Sequence, residues 1–97
     1  MLLPRRPIAV HPGEIVQEIL EQNGLSQSDL ARHLQEKQAK INEICRGKRG
    51  ISPDMAMKLS RAFGQSPLFW LNLQKNWELS QLDEAKYVTI KPLPLPV

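Results

Sequence analysis

Apolar residues recur at helical spacing along most of the chain, and four of the five runs are closed by a glycine or opened by a Ser-Pro pair. In HPGEIVQEILEQNG, Ile15, Ile19 and Leu20 fall on one face, Pro12 stands where a first helical turn tolerates it, and Gly24 is placed to end the helix. LSQSDLARHL follows, with Ser26 as N-cap and Leu25 positioned to staple onto Leu30. A third segment runs from about Gln38 to Arg46 and stops at Gly47. SPDMAMKLSRAFG opens on Ser52 and Pro53 and closes on Gly64, and SPLFWLNLQKNWEL repeats the opening with Ser66 and Pro67. The pattern predicts an all-α fold of five helices in one compact domain, residues 11–79. An N-terminal arm, residues 1–10, precedes it and an extension, residues 80–97, follows. In the arm, Arg5 and Arg6 are candidates for touching DNA or a partner. Within the extension, YVTIK has strand-like composition, and KPLPLPV alternates proline with apolar residues as an extended, polyproline-type tail does.

Composition narrows the class. Ninety-seven residues support one core, and 41% hydrophobic with 24% charged residues is the balance of a soluble globular chain. No apolar run is long enough to span a membrane, and the first ten residues lack the apolar core of a signal peptide. A single cysteine, Cys45, leaves no internal disulfide and fits a reducing, cytoplasmic setting. His11, His33 and Cys45 are too few for a metal site. A His33–Cys45 dyad would lack a third group to orient it, so no catalytic residue, metal or cofactor is expected.

Charge changes the picture more. The net charge is only +3, yet Lys37 to Arg49 holds five basic residues (Lys37, Lys40, Arg46, Lys48, Arg49) against one acid, Glu43. The rest of the chain carries eight basic and nine acidic residues, so the whole positive excess lies in one window. Such a stripe is the footprint of a polyanion partner, though cations at a helix C-terminus are also favoured by the helix dipole alone. The second and third segments have the apolar positions of a helix-turn-helix: Leu30 and Leu34 before the turn, Ile41 and Ile44 after it, and small Ala31 where the helices cross. With Ile41 and Ile44 inward, Gln38, Ala39, Asn42, Glu43 and Arg46 lie on or near the outward face. That is the face from which a recognition helix reads bases.

GLSQSDLARHL…INEICRGKR resembles the DNA-binding domains of lambda-repressor-like, Cro/C1-type regulators. With HPGEI before it and FWLNLQ after it, the match narrows to the HigA/VapI-type antitoxins of toxin–antitoxin operons, over roughly His11 to Leu79. The resemblance implies that Gln27 touches phosphate and braces the recognition helix, and that Gln38, Ala39 and Glu43 face bases. Lys40 and Asn42 reach backbone or bases, and Lys48 and Arg49 lie in a loop that approaches phosphate. Gln38 has the groups for a bidentate pair with adenine, and Ala39 offers a methyl-sized contact to thymine; Lys37 and Arg46 complete the basic set. Glu43 is equally placed to accept from cytosine or to pair with Lys40. Three positions depart from the family pattern: Gln35 where glycine is usual, Glu36 where an apolar residue is usual, and Lys37 where a capping Ser or Thr is common. A left-handed Gln35 costs on the order of 1 kcal/mol, which leaves two expectations open: a looser turn, or a first helix continued by one more turn.

The fifth segment carries Phe69, Trp70, Leu71, Leu73 and Trp77, too many apolar positions for one stripe. A second copy of the chain covering Phe69, Trp70, Leu73 and Trp77 would account for them, and so would burial as a central helix. A twofold homodimer places two recognition helices about one DNA turn apart. Together these readings describe a cytoplasmic, non-enzymatic repressor of its own operon that binds double-stranded operator DNA and a cognate small toxin. The resemblance implies a RelE/HigB-like ribonuclease for that toxin. The alternatives are a stand-alone Cro/C1-type repressor and an adaptor that only retains the fold.

Overall fold

In a computed structural model that describes residues 9–96, the helices begin and end at the punctuation read above. They are α1 (Pro12–Gln22), α2 (Gln27–Leu34), α3 (Gln38–Cys45), α4 (Pro53–Phe63) and α5 (Pro67–Ser80), followed by a single 3-10 turn, Glu84–Lys86. The expectation for Arg5 and Arg6 lies outside the described residues.

Side chains satisfy the first free backbone N–H groups of four helices. His11 Nδ1 accepts from Gly13 N, Ser52 from Met55 N and Ser66 from Phe69 N, each ahead of a proline at the helix start. Ser26 and Asp29 form a reciprocal capping box on α2. Lys37 gives α3 no such cap.

The turn between α2 and α3 settles both expectations about Gln35–Lys37 in the negative. It is neither loose nor absorbed into a longer helix. Gln35 takes the left-handed conformation (φ 57°, ψ 44°), the Gln35 N–H bonds Arg32 O at 3.2 Å, and the Glu36 N–H bonds Ala31 O at 2.8 Å. These two bonds form a Schellman closure, and the same pair recurs around Gly24 and Gly47. Glu36 replaces the usual apolar contact with charge. Its Oε1 accepts from Lys40 Nζ at 3.3 Å and from Lys58 Nζ of α4 at 2.6 Å.

The core is built from Val16 and Leu20 of α1, Leu30, Ala31 and Leu34 of α2, and Ile41 and Ile44 of α3. Ile51 of the following loop, Met55, Ala56 and Leu59 of α4, and Trp70 of α5 complete it. Trp70 is 0% exposed and packs against Phe63 and Phe69. This corrects its assignment to an interface between copies: the α4–α5 packing places the indole inside its own protomer. α1 lies so close to α3 that a Cβ on Gly13 would stand 1.7 Å from Ile44 O.

Beyond α5 the strand-like composition of Tyr87–Lys91 does not become a strand. Tyr87–Thr89 is a turn closed by Ile90 N to Tyr87 O at 3.0 Å, because no neighbouring strand is there to pair with it among the described residues. Residues 91–96 are irregular and exposed, with one tight bend where Leu95 N bonds Leu93 O.

Candidate nucleic-acid interface

Ile41 and Ile44 turn into the core, which leaves Lys37, Gln38, Ala39 and Arg46 exposed and Lys40, Asn42 and Glu43 half-buried. The outward face of α3 is thus the one expected. Its polar residues divide into those that are free and those already engaged.

Gln27, on the first turn of α2, is a brace in the literal sense. Its amide nitrogen donates to Gln17 Oε1 of α1 at 2.9 Å, and its amide oxygen accepts from Asn42 Nδ2 of α3 at 3.0 Å. One glutamine therefore ties three helices, and it commits Asn42 to holding the helix. Gln17 has no signal in the sequence, since the pair is ten residues apart on different helices.

The cations are similarly divided. Arg49 Nε donates to Glu43 Oε2 at 2.8 Å, so Glu43 is paired with the loop, not with Lys40. Both partners are about half exposed, and such a pair is worth well under ~1 kcal/mol. Lys40 is held by Glu36. Lys37, Arg46 and Lys48 have no ion-pair partner among the described residues.

The loop carrying Lys48 and Arg49 is fixed at both ends. Gly47 takes φ 74° at its start. At its end, the buried Gln74 of α5 accepts from Ile51 N at 2.8 Å while its nitrogen donates to Glu78 at 3.1 Å. Gly50 lies against that amide, 2.8 Å from where its Cβ would be. Gln74 was not singled out in the sequence because a lone glutamine on an apolar helix reads as surface.

Two titratable groups clarify the chemistry. Burial holds His11 below the usual imidazole range, against the opposing pull of Glu14, and the neutral ring is what accepts from Gly13 N. Burial pushes the Cys45 thiol up to about 11, so little thiolate exists near neutrality. Among the described residues no group of His, Cys, Asp or Glu is gathered to hold a metal ion, and no helix is long and apolar enough to cross a membrane.

On α5, Leu68 (64% exposed) and Phe69 (38%) face outward, Leu73 is half-buried, and Trp77 packs edge-on against His11 with ring centroids 4.8 Å apart.

This geometry has close counterparts. The helix-turn-helix family model matches residues 16–71, more than half of the chain and the whole of α2 and α3. The chain belongs to the helix-turn-helix family. Within that family it is 43% identical over 79 residues to Virulence-associated protein I of Dichelobacter nodosus, covering 80% of this chain and 73% of that protein. Antitoxin HigA-1 of Vibrio cholerae is 35% identical over 95 residues, 92% of this chain and 86% of its own. The structure of Pseudomonas aeruginosa antitoxin HigA with the higBA promoter superposes with a TM-score of 0.78 at 39% identity, covering 90% of this chain and 98% of that one. The all-α architecture and the resemblance to HigA-type, DNA-binding helix-turn-helix antitoxins are therefore those expected, and none of these relatives carries the name of an enzyme.

Proposed function

We propose that this helix-turn-helix protein is a cytoplasmic antitoxin that binds the operator of its own operon as a dimer and neutralises a small cognate toxin of the RelE/HigB-like ribonuclease kind. The observation that carries the DNA half is the solvent-facing side of α3: Gln38 and Ala39 open at its start, Lys37, Arg46 and Lys48 unpaired beside them, and Gln27 bracing it from behind. Support for the toxin half comes from the antitoxin relatives alone.

In this reading Gln38 and Ala39 read bases, with Glu43 near them, while Lys37, Arg46 and Lys48 position the backbone and Arg49 joins them when it leaves Glu43. Gln27 and Asn42 set the pose of α3. The experiment follows binding to the DNA upstream of the reading frame, and growth on co-expression with the adjacent small reading frame. We expect Gln38→Ala to relax preference at one base pair at about 1–3 kcal/mol, and Lys48→Ala to weaken all duplexes alike and lower the salt slope by about one. Equal loss from Gln38→Ala on every sequence would remove its reading role. An adjacent product that neither arrests growth nor copurifies would leave a repressor without a toxin.

The dimer is assigned to the exposed side of α5, through Leu68 and Phe69, with the uncovered edges of Leu73 and Trp77 beside them. Leu68→Glu with Phe69→Glu is expected to give a folded monomer by sedimentation, since neither side chain belongs to the buried core. An unchanged dimer would place the interface elsewhere.

A further inference from the structure

Glu36 departs from the family pattern, and its surroundings give it a use. It stands immediately before Lys37, at the end of α3 where Gln38 and Ala39 are exposed. Its side chain is only 12% exposed, and a single oxygen, Oε1, takes both Lys40 Nζ (3.3 Å) and Lys58 Nζ (2.6 Å). Lys58 also lies 3.5 Å from Asp54 Oδ2. Two carboxylates thus answer two ammonium groups, and the cluster is neutral at the edge of a basic face. Hydrogen bonds from Lys58, and then Lys40, hold the Glu36 carboxyl below the usual carboxylate range, while the Glu36 contact holds Lys58 above the usual ammonium range. Glu36 and Lys58 therefore remain charged near neutrality.

We propose that Glu36 is a specificity-determining residue that withholds Lys40 and Lys58 from DNA phosphates, a role that rests on the DNA-binding reading above. Affinity gained from phosphates is indifferent to sequence, so every cation left free beside a recognition helix raises binding to all duplexes. Pairing two of them internally lowers that background without removing the packing of their alkyl stems. The opposite arrangement, in which Glu36 presents the lysines to phosphate, would have left their ammonium groups outward. Instead both converge on an oxygen of a side chain that is itself largely covered.

The test measures log affinity against log salt on a mixed-sequence duplex and on the upstream DNA, for the wild-type protein, Glu36→Gln, Glu36→Leu and Lys58→Met. Leucine restores the apolar contact that usually closes such a turn, so Glu36→Leu keeps the fold if Glu36→Gln weakens it. Freed lysines each add roughly 0.9 to the slope. Since Lys58 keeps Asp54, we expect a steeper slope by about one to two per protomer on both duplexes. We also expect about a tenfold or greater gain on mixed sequence and a smaller ratio between upstream and mixed DNA. Lys58→Met is expected to leave the wild-type slope as it is. A slope unchanged or shallower in folded Glu36→Leu, or lowered by about one in Lys58→Met, would overturn the proposal while DNA binding stands. A folded wild-type protein that binds neither duplex would overturn both.

Discussion

Gly13→Ala is expected to cost on the order of 3 kcal/mol or more, read as a shift of the urea midpoint followed by far-UV circular dichroism. Two effects oppose each other at this position. Alanine is the better helix former by about 1 kcal/mol in a helix interior, and by less in the first turn of α1 where Gly13 lies. The new methyl, however, would stand 1.7 Å from Ile44 O and 2.6 Å from Ile44 C, both backbone atoms that no rotamer change can move aside. α1 would have to lift from α3 by more than an ångström, opening the core that Val16 shares with Ile41 and Ile44 and disturbing the His11 cap. Clash wins over propensity. Against a total stability of about 5–15 kcal/mol for a domain of this kind, much of the fold would be lost at ordinary temperature. A midpoint within 1 kcal/mol of wild type would mean that α1 and α3 are not held at this distance.

Trp70→Ala carries the second large effect, about 3–5 kcal/mol, and it distinguishes the two tryptophans of α5. Trp70 is fully enclosed by its own protomer, with Phe63 and Phe69 against it. Its removal leaves a cavity that the surrounding helices cannot close, and thermal unfolding should report the loss at every protein concentration. Trp70→Phe is expected to be far milder, because it keeps an aromatic filler and removes an indole N–H that has no hydrogen-bond partner among the described residues. A Trp70→Ala protein that melts as wild type but sediments differently would return the residue to an interface.

These two residues also show what could be read from the sequence. Most helix boundaries were legible because local chemistry sets them: Ser26, Ser52 and Ser66 at helix starts, prolines in first turns, and Gly24, Gly47 and Gly64 after the last apolar residues. The inward positions of α2 and α3 were legible because both helices have one apolar side. α5 has apolar residues around most of its circumference, so periodicity alone could not say which side met α4, and Trp70 was placed outside. Gly13 raised no flag, since its reason is the closeness of the Ile44 backbone on another helix, not a left-handed angle.

The candidate site was half legible for the same reason. Residue types and helix phase put Gln38, Ala39, Arg46 and Lys48 on the candidate face and the resemblance added Gln27, but a count of charges treats every cation as available. Glu36 falls just outside the basic window and Lys58 arrives from α4, so only the folded chain shows Lys40 paired with Glu36 and Asn42 bonded to Gln27. The left-handed Gln35 was placed correctly. What its neighbours would do was not, because the apolar contact missing at Glu36 is replaced by ion pairs from two other helices.

The amide of Gln74 has a mechanical consequence. The loop from Arg46 to Ser52 has no regular structure of its own, and its far end hangs on the bond from Ile51 N to a side chain of α5. α5 also presents Leu68 and Phe69 to the outside. Any contact that slides or tilts α5 must therefore either carry the loop with it or break a buried hydrogen bond. If Lys48 holds phosphate as proposed above, the position of α5 becomes one of the settings of that contact, because the loop carrying the lysine is tethered to this helix.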